Sequence, residues 1–401
     1  MIWEATIGWR SRAMYIDLAR RAVALRPDVG LNWEGLSDQL LSLARYEEAI
    51  EVLNEGVASL PENVSLHLML AAAYRRSGRM DLALAALERA PSVRPDDRRN
   101  QVRRLEVLMR APEAKSQMAS VGQLLDLDPT NVQGLMFLAS VQRKAGRFET
   151  IIQRCRAALL SEPGHSCARY ELAVALACSG ELDEARALID TQAFTTVTDV
   201  PTPEGYADAG AFEAALAAEI QSDPTLKPDP PEKATKGGFQ TISGLPYSSG
   251  GAMSRLIDSI KITVESNLPE TVEDSYLKAR PKRVSLDAWA VVYPGDGRQI
   301  SHIHNSGWLS GVYYVSAPPS PLDDDMQSGC LQLGALEMNG SNPEPPWEVR
   351  NIRPEPGRLV LFPSYIPHAT RPTKARDLRI CVAFDVMPVR EIDALTGGSD
   401  A

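Results

Sequence analysis

The chain is poor in histidine and cysteine and short of positive charge. Its 401 residues hold five of each, with 42 lysines and arginines against 52 acids, for a formal net charge of −10. That balance excludes a general nucleic-acid binder, because neutralising phosphates takes clustered Lys and Arg. No apolar run approaches the roughly 20 residues that a membrane-spanning helix needs. The opening residues, MIWEATIGWRSRAMY, lack an uninterrupted apolar core and a small-residue cleavage site, so no signal peptide is expected. The cysteines (Cys155, Cys167, Cys178, Cys330, Cys381) are odd in number and without CxxC spacing, which predicts free thiols in a reducing cytoplasm. The length predicts two to three domains with ample cores.

What is present divides in two. Pro27, Pro61, Pro95, Pro129 and Pro163 lie 34 residues apart without a slip, the period of tetratricopeptide repeats. Units are expected at 30–63, 64–97, 98–131, 132–165 and 166–195, behind a capping helix at 10–26. Trp33, Leu36, Leu40, Ala49 and Leu53 fill the packing positions of the first unit, and Leu70, Ala71, Tyr74, Ala83 and Leu87 those of the second. The unit 98–131 is degenerate, with Arg104 and Gln117 at packing positions and Pro112 near its turn. Gly78, Gly146 and Gly180 fall in turns. Stacked repeats bury a continuous core and leave a groove, lined by the first helix of each pair, that takes peptide segments or partner proteins. His67 and His165 in this half read as packing or surface residues.

After residue 190 the composition shifts to Thr, Pro, Gly and Asp. Helices are expected around Phe212–Ile220 and over 251–267, the latter with Met253, Leu256, Ile257, Ile260 and Val264 on one face. From 283 onward strands dominate: 283–293, 299–304, 308–316, 329–336, 347–353, 358–362 and 378–387. The predicted fold is therefore multi-domain: an all-α repeat solenoid over 1–190, then a double-stranded β-helix (jelly roll) with flanking helices over 191–392, and a disordered tail at 393–401.

Three of the five histidines fall in this β-rich half. His302 and His304 are two apart in a predicted strand, so both imidazoles point the same way. His368 follows the apolar strand Leu359–Phe362 and a Pro-bounded turn. The three are read as ligands of one metal. In the strand Asp377–Phe384, Arg379 shares a face with Cys381 and Ala383, which suits a lumen holding an anion better than a solvent surface. Asp323, Asp324 and Asp325 sit in a Pro-rich acidic loop and read as solvated.

The stretches VVYPGDG, SHIHNSGWLSGVYYV, LVLFPSYIPHAT and RICVAF, in that order and spacing, resemble the Fe(II)/2-oxoglutarate-dependent oxygenases, especially a bacterial branch of that family and the prolyl hydroxylases. The resemblance covers about residues 195–390, with GGFQT at 237–241 similar to the first strand of the bacterial branch. It implies Fe(II) and 2-oxoglutarate, with ascorbate as a candidate reductant. By resemblance His302 and His368 are two ligands, Arg379 takes the distal carboxylate of 2-oxoglutarate as a bidentate fork, and Tyr293 and Tyr314 help to hold it. The family's usual third ligand is a carboxylate, and its place here is His304. His304 either ligates or stands beside a two-histidine site; ligation is the reading taken. The aspartyl/asparaginyl hydroxylases are similar in joining helical repeats to an oxygenase without that carboxylate.

The implied function is a cytoplasmic dioxygenase that hydroxylates a protein or peptide recruited by the repeat groove, without nucleic-acid or membrane partners. Two other classes of answer stand beside it. One is a binding scaffold whose jelly roll has lost catalysis, and the missing carboxylate favours it. The other is a cupin-like three-histidine dioxygenase that needs no 2-oxoglutarate, and Arg379 and Tyr314 speak against it.

Overall fold

The computed structural model describes residues 1–3, 9–90, 92, 97–110, 114–230, 233–242, 251–268, 273–318, 327–337, 343–373 and 375–389. Pro95, Pro112, Asp323–Asp325 and the tail at 393–401 lie outside these. The chain forms two compact units, Arg10–Val141 and Met1–Trp9 with Gln142–Ala401. No described helix is long and apolar enough to cross a membrane.

The first unit is an array of paired helices behind the helix Trp9–Leu25: Gly30–Ser42 with Tyr46–Ser59, Val64–Arg76 with Met80–Arg89, and Arg98–Leu108 with Ala114–Leu127. Trp33, Leu36, Leu40, Ala49, Leu53, Leu70, Ala71, Ala83 and Leu87 are all buried in its core. The helix pairs close because a small residue faces a large one; a Cβ on Gly56 would meet the Trp33 ring at 3.1 Å. His67 is buried and bonds the Pro61 carbonyl through Nε2 at 2.8 Å, a packing role. The degenerate unit still folds as two helices.

Four described turns between paired helices place one residue in the left-handed region. Gly78, Gly146 and Gly180 take it with φ of 81°, 61° and 90°. Ala44 stands one repeat before Gly78 and takes it too, with φ of 55°. Left-handed backbone costs a non-glycine residue roughly 1–2 kcal/mol, partly offset by the extra freedom glycine has when unfolded. Ala44 is exposed, so its methyl contributes no packing. Ala44→Gly should therefore stabilise the array by about 0.5–1 kcal/mol, read as a raised unfolding midpoint. A lowered midpoint contradicts the strain argument.

The second unit begins with the last repeats. Glu149–Ser161, Ser166–Ser179 and Leu182–Leu188 pack in series, and His165 caps the middle helix by accepting from Ala168 N at 3.0 Å. The sequence division at 190/191 separates repeat from non-repeat sequence, whereas the compact units part at 141/142. Helix Ser166–Ser179 is buried along most of its length because the β-rich part of the same unit covers it. Ser166 Oγ donates to Gly307 O at 2.6 Å and meets the Tyr276 hydroxyl at 2.6 Å, and that hydroxyl also donates to Trp308 O. Arg169 pairs with Asp274 at 2.5 Å and lies over the Tyr276 and Tyr365 rings.

The β-rich part is antiparallel apart from Ile2–Trp3, which runs parallel to Arg283–Gly295. The larger sheet runs in the order Thr196–Asp199, Arg358–Pro363, Leu309–Ser316, Ala375–Pro388, Arg283–Gly295, Phe239–Gln240, Lys227–Pro228. A second sheet has Leu331–Leu333 between Arg350–Ile352 and His368–Thr370, and a small pair joins Thr235–Lys236 to Arg298–Gln299. The expected helix at 251–267 is Ala252–Ser266, with Met253, Leu256, Ile257, Ile260 and Val264 buried. Ala209–Gln221 buries Phe212, whose ring meets Tyr313 of the larger sheet edge-on.

Three strand expectations are corrected: 329–336 and 347–353 shorten to Leu331–Leu333 and Arg350–Ile352, and the third is 299–304. Residues 299–304 form no continuous strand: the ladder ends at Gln299, and His302 makes an isolated bridge to His368. His302 and His368 exchange both backbone hydrogen bonds, whereas His304 N turns to Ser364 O at 3.0 Å. Two separate anchors thus replace a ladder. They still leave both imidazoles on one side.

Candidate metal and anion site

The long strand Ala375–Pro388 sets the site, because both its neighbours are in register with it. Arg379 stands opposite Tyr293, Cys381 opposite Tyr314, and Asp385 opposite both Asp287 and Ser310. Facing residues of an antiparallel pair share a face, and alternate residues along a strand do too. Arg379, Cys381, Ala383 and Asp385 therefore point into one lumen, with Tyr293 and Trp289 from one neighbour and Tyr314 and Ser310 from the other. His302, His304, His368 and Thr370 line the same cavity from the opposite side.

The three imidazoles come together with one ligating nitrogen each, all within 4.8 Å of one another. Their other nitrogens settle the tautomers. His302 Nδ1 bonds Ile300 O at 2.8 Å and His368 Nδ1 bonds Ile366 O at 3.0 Å. A carbonyl only accepts, so each Nδ1 carries the proton and each Nε2 keeps its lone pair. His304 Nδ1 lies 2.5 Å from Asp385 Oδ1, which orients its Nε2 in the same way. Burial first and the neighbouring His304 second push the His302 pKa down to about 4, and burial holds His368 well below the ordinary histidine value. Neutral imidazoles held by their far nitrogens are the form that binds a metal. The cluster fits a borderline divalent cation such as Fe(II).

Arg379 lies at the other end of the lumen, 1% exposed. Its Nη1 donates to Gly329 O at 2.9 Å, its Nη2 to Thr370 Oγ1 at 3.2 Å, and its guanidinium lies 4.5 Å from the Tyr293 ring centre. None of these partners is anionic, and its Nε is buried with no hydrogen-bond partner among the described residues. The Tyr293 hydroxyl is buried near Thr235 and Thr370 and has no partner of normal hydrogen-bond geometry among the described residues. Burial raises the pKa of Tyr293 and of Tyr314, so both hydroxyls keep their protons as donors. Burial also lifts the Cys381 thiol to about 11, against the pull of Arg379, and leaves it protonated. A buried cation with no anionic partner among the described residues, and with donors around it, fits a carboxylate.

All six site residues expected from the sequence thus reach one cavity. Sequence reasoning missed Asp385, Ser310 and Thr370. Asp385 was within reach of the same parity argument, since it lies six residues beyond Arg379 on the same strand face. Ser310 and Thr370 depend on pairing register, which no local pattern announces.

Because the buried histidines bind protons more weakly folded than unfolded, the unfolded chain takes up protons first as pH falls. The metal-free protein should therefore be fully stable above about pH 6.5 and lose stability as pH drops toward 4. His302 alone contributes at most about 3 kcal/mol across that window. Urea midpoints of the metal-free protein should fall on acidification, and His302→Gln should flatten the slope; an unchanged slope rules out a depressed His302.

Residues 287–385 match the model of the family described as "Putative 2OG-Fe(II) oxygenase", and residues 40–105 and 142–200 match a tetratricopeptide-repeat model. No curated protein matches the chain. Among solved structures the chain is similar to a Pseudomonas putida prolyl-4-hydroxylase, at 17% identity over 49% of this chain and 93% of that one, with a TM-score of 0.33. It is also similar to HygX from Streptomyces hygroscopicus with nickel and 2-oxoglutarate bound (15% identity, 51% and 88% covered, TM-score 0.34). A third is a Trichoplax adhaerens prolyl hydroxylase in complex with a hypoxia inducible factor peptide fragment (14% identity, 55% and 90% covered, TM-score 0.35). The chain thus joins a stretch that matches the 2OG-Fe(II) oxygenase model to preceding stretches that match the tetratricopeptide-repeat model.

Proposed function

We propose that the chain is an Fe(II)/2-oxoglutarate-dependent hydroxylase of a protein or peptide substrate. The observation that carries the reading is Arg379: a buried guanidinium with no anionic partner among the described residues, aimed into the cavity that three converging imidazoles close. His302, His304 and His368 would hold the iron, and Arg379, Tyr293 and Tyr314 the co-substrate. Bound there, iron and 2-oxoglutarate supply the activation of O2, one oxygen passing into a substrate C–H bond and the other into succinate as CO2 leaves.

The chain's own part is binding, orientation and exclusion of water. Arg379 and the Tyr293 hydroxyl bind the distal carboxylate, and Thr370 keeps the guanidinium in place. The buried walls around Cys381 and Ala383 keep water from that end. Beyond the imidazoles the lumen opens into a cleft lined by Trp289, Gln299, Asn305, Asp287 and Lys236. That cleft is open to solvent and admits a side chain presented on a larger molecule.

A charge-assisted pair of this kind is worth roughly 2–5 kcal/mol when one partner is removed. Arg379→Ala should raise the 2-oxoglutarate concentration needed for turnover at least tenfold and leave Fe(II) affinity nearly unchanged. Under anaerobic conditions the Fe(II) protein should gain a visible charge-transfer band on adding 2-oxoglutarate, and the variant should need far more co-substrate to show it. Iron binding with no spectral response to 2-oxoglutarate would favour the cupin-like reading instead.

The repeats support a macromolecular substrate, since tethered recognition raises the effective concentration of a side chain at the iron. Helix Ser166–Ser179 is covered by its own chain, so a peptide surface has to come from the earlier units. Residues 142–401 alone should still bind Fe(II) and 2-oxoglutarate and form succinate slowly without substrate. Substrate turnover should fall chiefly through KM, because recognition acting equally on ground and transition states is what is lost. An unchanged KM removes the array from substrate recognition.

A further inference from the structure

Of the three imidazoles, His304 alone gives its Nδ1 proton to a carboxylate; His302 and His368 give theirs to main-chain carbonyls. His304 is also the residue at the position where the resembling family carries an anionic ligand. A negative charge is therefore present at this site, one hydrogen bond further out.

The carboxylate is built in rather than incidental. Asp385 is 8% exposed, and its Oδ1 accepts from Ser310 Oγ at 2.6 Å as well as from His304. Ser310 Oγ in turn meets Ser364 Oγ at 2.8 Å, and both serines are fully buried. The backbone closes the loop: His304 N donates to Ser364 O at 3.0 Å, and Ser364 N donates to Trp308 O at 3.1 Å. Gly307 leaves room for the network, since a Cβ there would meet Ser364 Oγ at 2.5 Å and Asp385 Cγ at 3.5 Å. Asp287 stands directly opposite Asp385 on the neighbouring strand. Like charges directly opposite one another destabilise a sheet, so strand pairing alone gives no reason for an acid at 385.

We propose that Asp385, anchored by Ser310, is the positioning residue of the metal centre, fixing His304 as the third ligand and supplying the negative charge that the imidazole lacks. The inference rests on the metal reading above. Carboxylates that accept from a ligating histidine fix its ring and raise its basicity, and losing one typically costs 10–100-fold in metal affinity. The network also accounts for an HxH pair whose second histidine stands off the ladder, since Asp385 and Ser364 O hold that residue from both ends.

The test is Co(II) titration of the full chain, by calorimetry and by the visible d–d spectrum, for the parent, Asp385→Asn, Ser310→Ala, His304→Ala and the double variant His304→Ala/Asp385→Asn. Asp385→Asn should weaken Co(II) binding 10–100-fold and shift the spectrum toward that of His304→Ala. Ser310→Ala should lose affinity in the same direction by a smaller factor. In the His304→Ala background the Asp385 change should alter affinity by less than about twofold, because a residue that acts through His304 has nothing left to act on. Affinity of Asp385→Asn within about twofold of the parent overturns the proposal, as does an equal loss in both backgrounds. If circular dichroism shows Asp385→Asn unfolded, Ser310→Ala decides: it keeps the charge and removes the hydroxyl that bonds Asp385 Oδ1 at 2.6 Å and touches His304 Nδ1 at 3.0 Å, and unchanged affinity and spectrum overturn the proposal. A parent that binds no Co(II) sinks the metal reading itself, an outcome distinct from a parent that binds and an Asp385 variant that binds equally well.

Discussion

The register of one strand governs the site. Ala375–Pro388 pairs with Arg283–Gly295 on one side and Leu309–Ser316 on the other, and each pairing brings a polar residue beside a polar residue inside an otherwise apolar sheet. A slip of one residue would turn Arg379 and Asp385 to the opposite face and bring Ile380 and Phe384 into the lumen. Burying Val382 and Phe384 against the far side is what prevents it. The hydrophobic pattern of the strand thus secures the register, and the register places the charges. The irregularity between Ile380 and Cys381 adjusts the pairing with Leu309–Ser316, so that Tyr314 faces Cys381 within reach of the guanidinium.

Much of this was legible in the sequence, for reasons that differ by element. The 34-residue period reports a repeated packing unit, so the helix pairs and their turn glycines follow from spacing alone. The amphipathic helix Ala252–Ser266 follows from a strong 3.6-residue pattern. Alternation along Asp377–Phe384 told which side chains face inward, and with it the place of Arg379. Harder to read was the segment 299–304. It alternates like a strand, but its backbone partners change along it, Thr235 and Ala234 at Gln299 and Ile300, then His368 at His302 and Ser364 at His304, so no one ladder runs through it. Pairing partners are tertiary facts. Ser310, Thr370 and the Asp385–His304 contact were hidden for the same reason.

The boundary between repeat and β-rich sequence has a physical subtlety. The period continues to about 195, yet the helices from 142 onward pack as part of the β-rich unit. A solenoid needs its terminal repeat capped, because the last helix pair exposes an apolar face. Here the cap is the β-rich part itself: Tyr276, Trp308 and Tyr365 are buried in a region where Ser166 and Arg169 supply the polar contacts. The cap also touches the site. Ser166 Oγ and the Tyr276 hydroxyl hold the carbonyls of Gly307 and Trp308, which follow His304 by three and four residues.

Charge along the lumen is graded, and the gradation bears on the order in which a site of this kind fills. Arg379 has no anionic partner among the described residues at the closed end, burial holds His302 and His368 neutral in the middle, and Asp385 and Asp287 stand at the open end. A dianion entering from the mouth passes two carboxylates before it reaches the guanidinium, so Coulomb forces alone oppose its entry. A divalent cation held by the imidazoles would reverse that, because its charge would outweigh the carboxylates locally and give the near end of the dianion a partner. On the proposed reading the metal therefore precedes the co-substrate, and Asp385 serves the metal while Arg379 serves the anion.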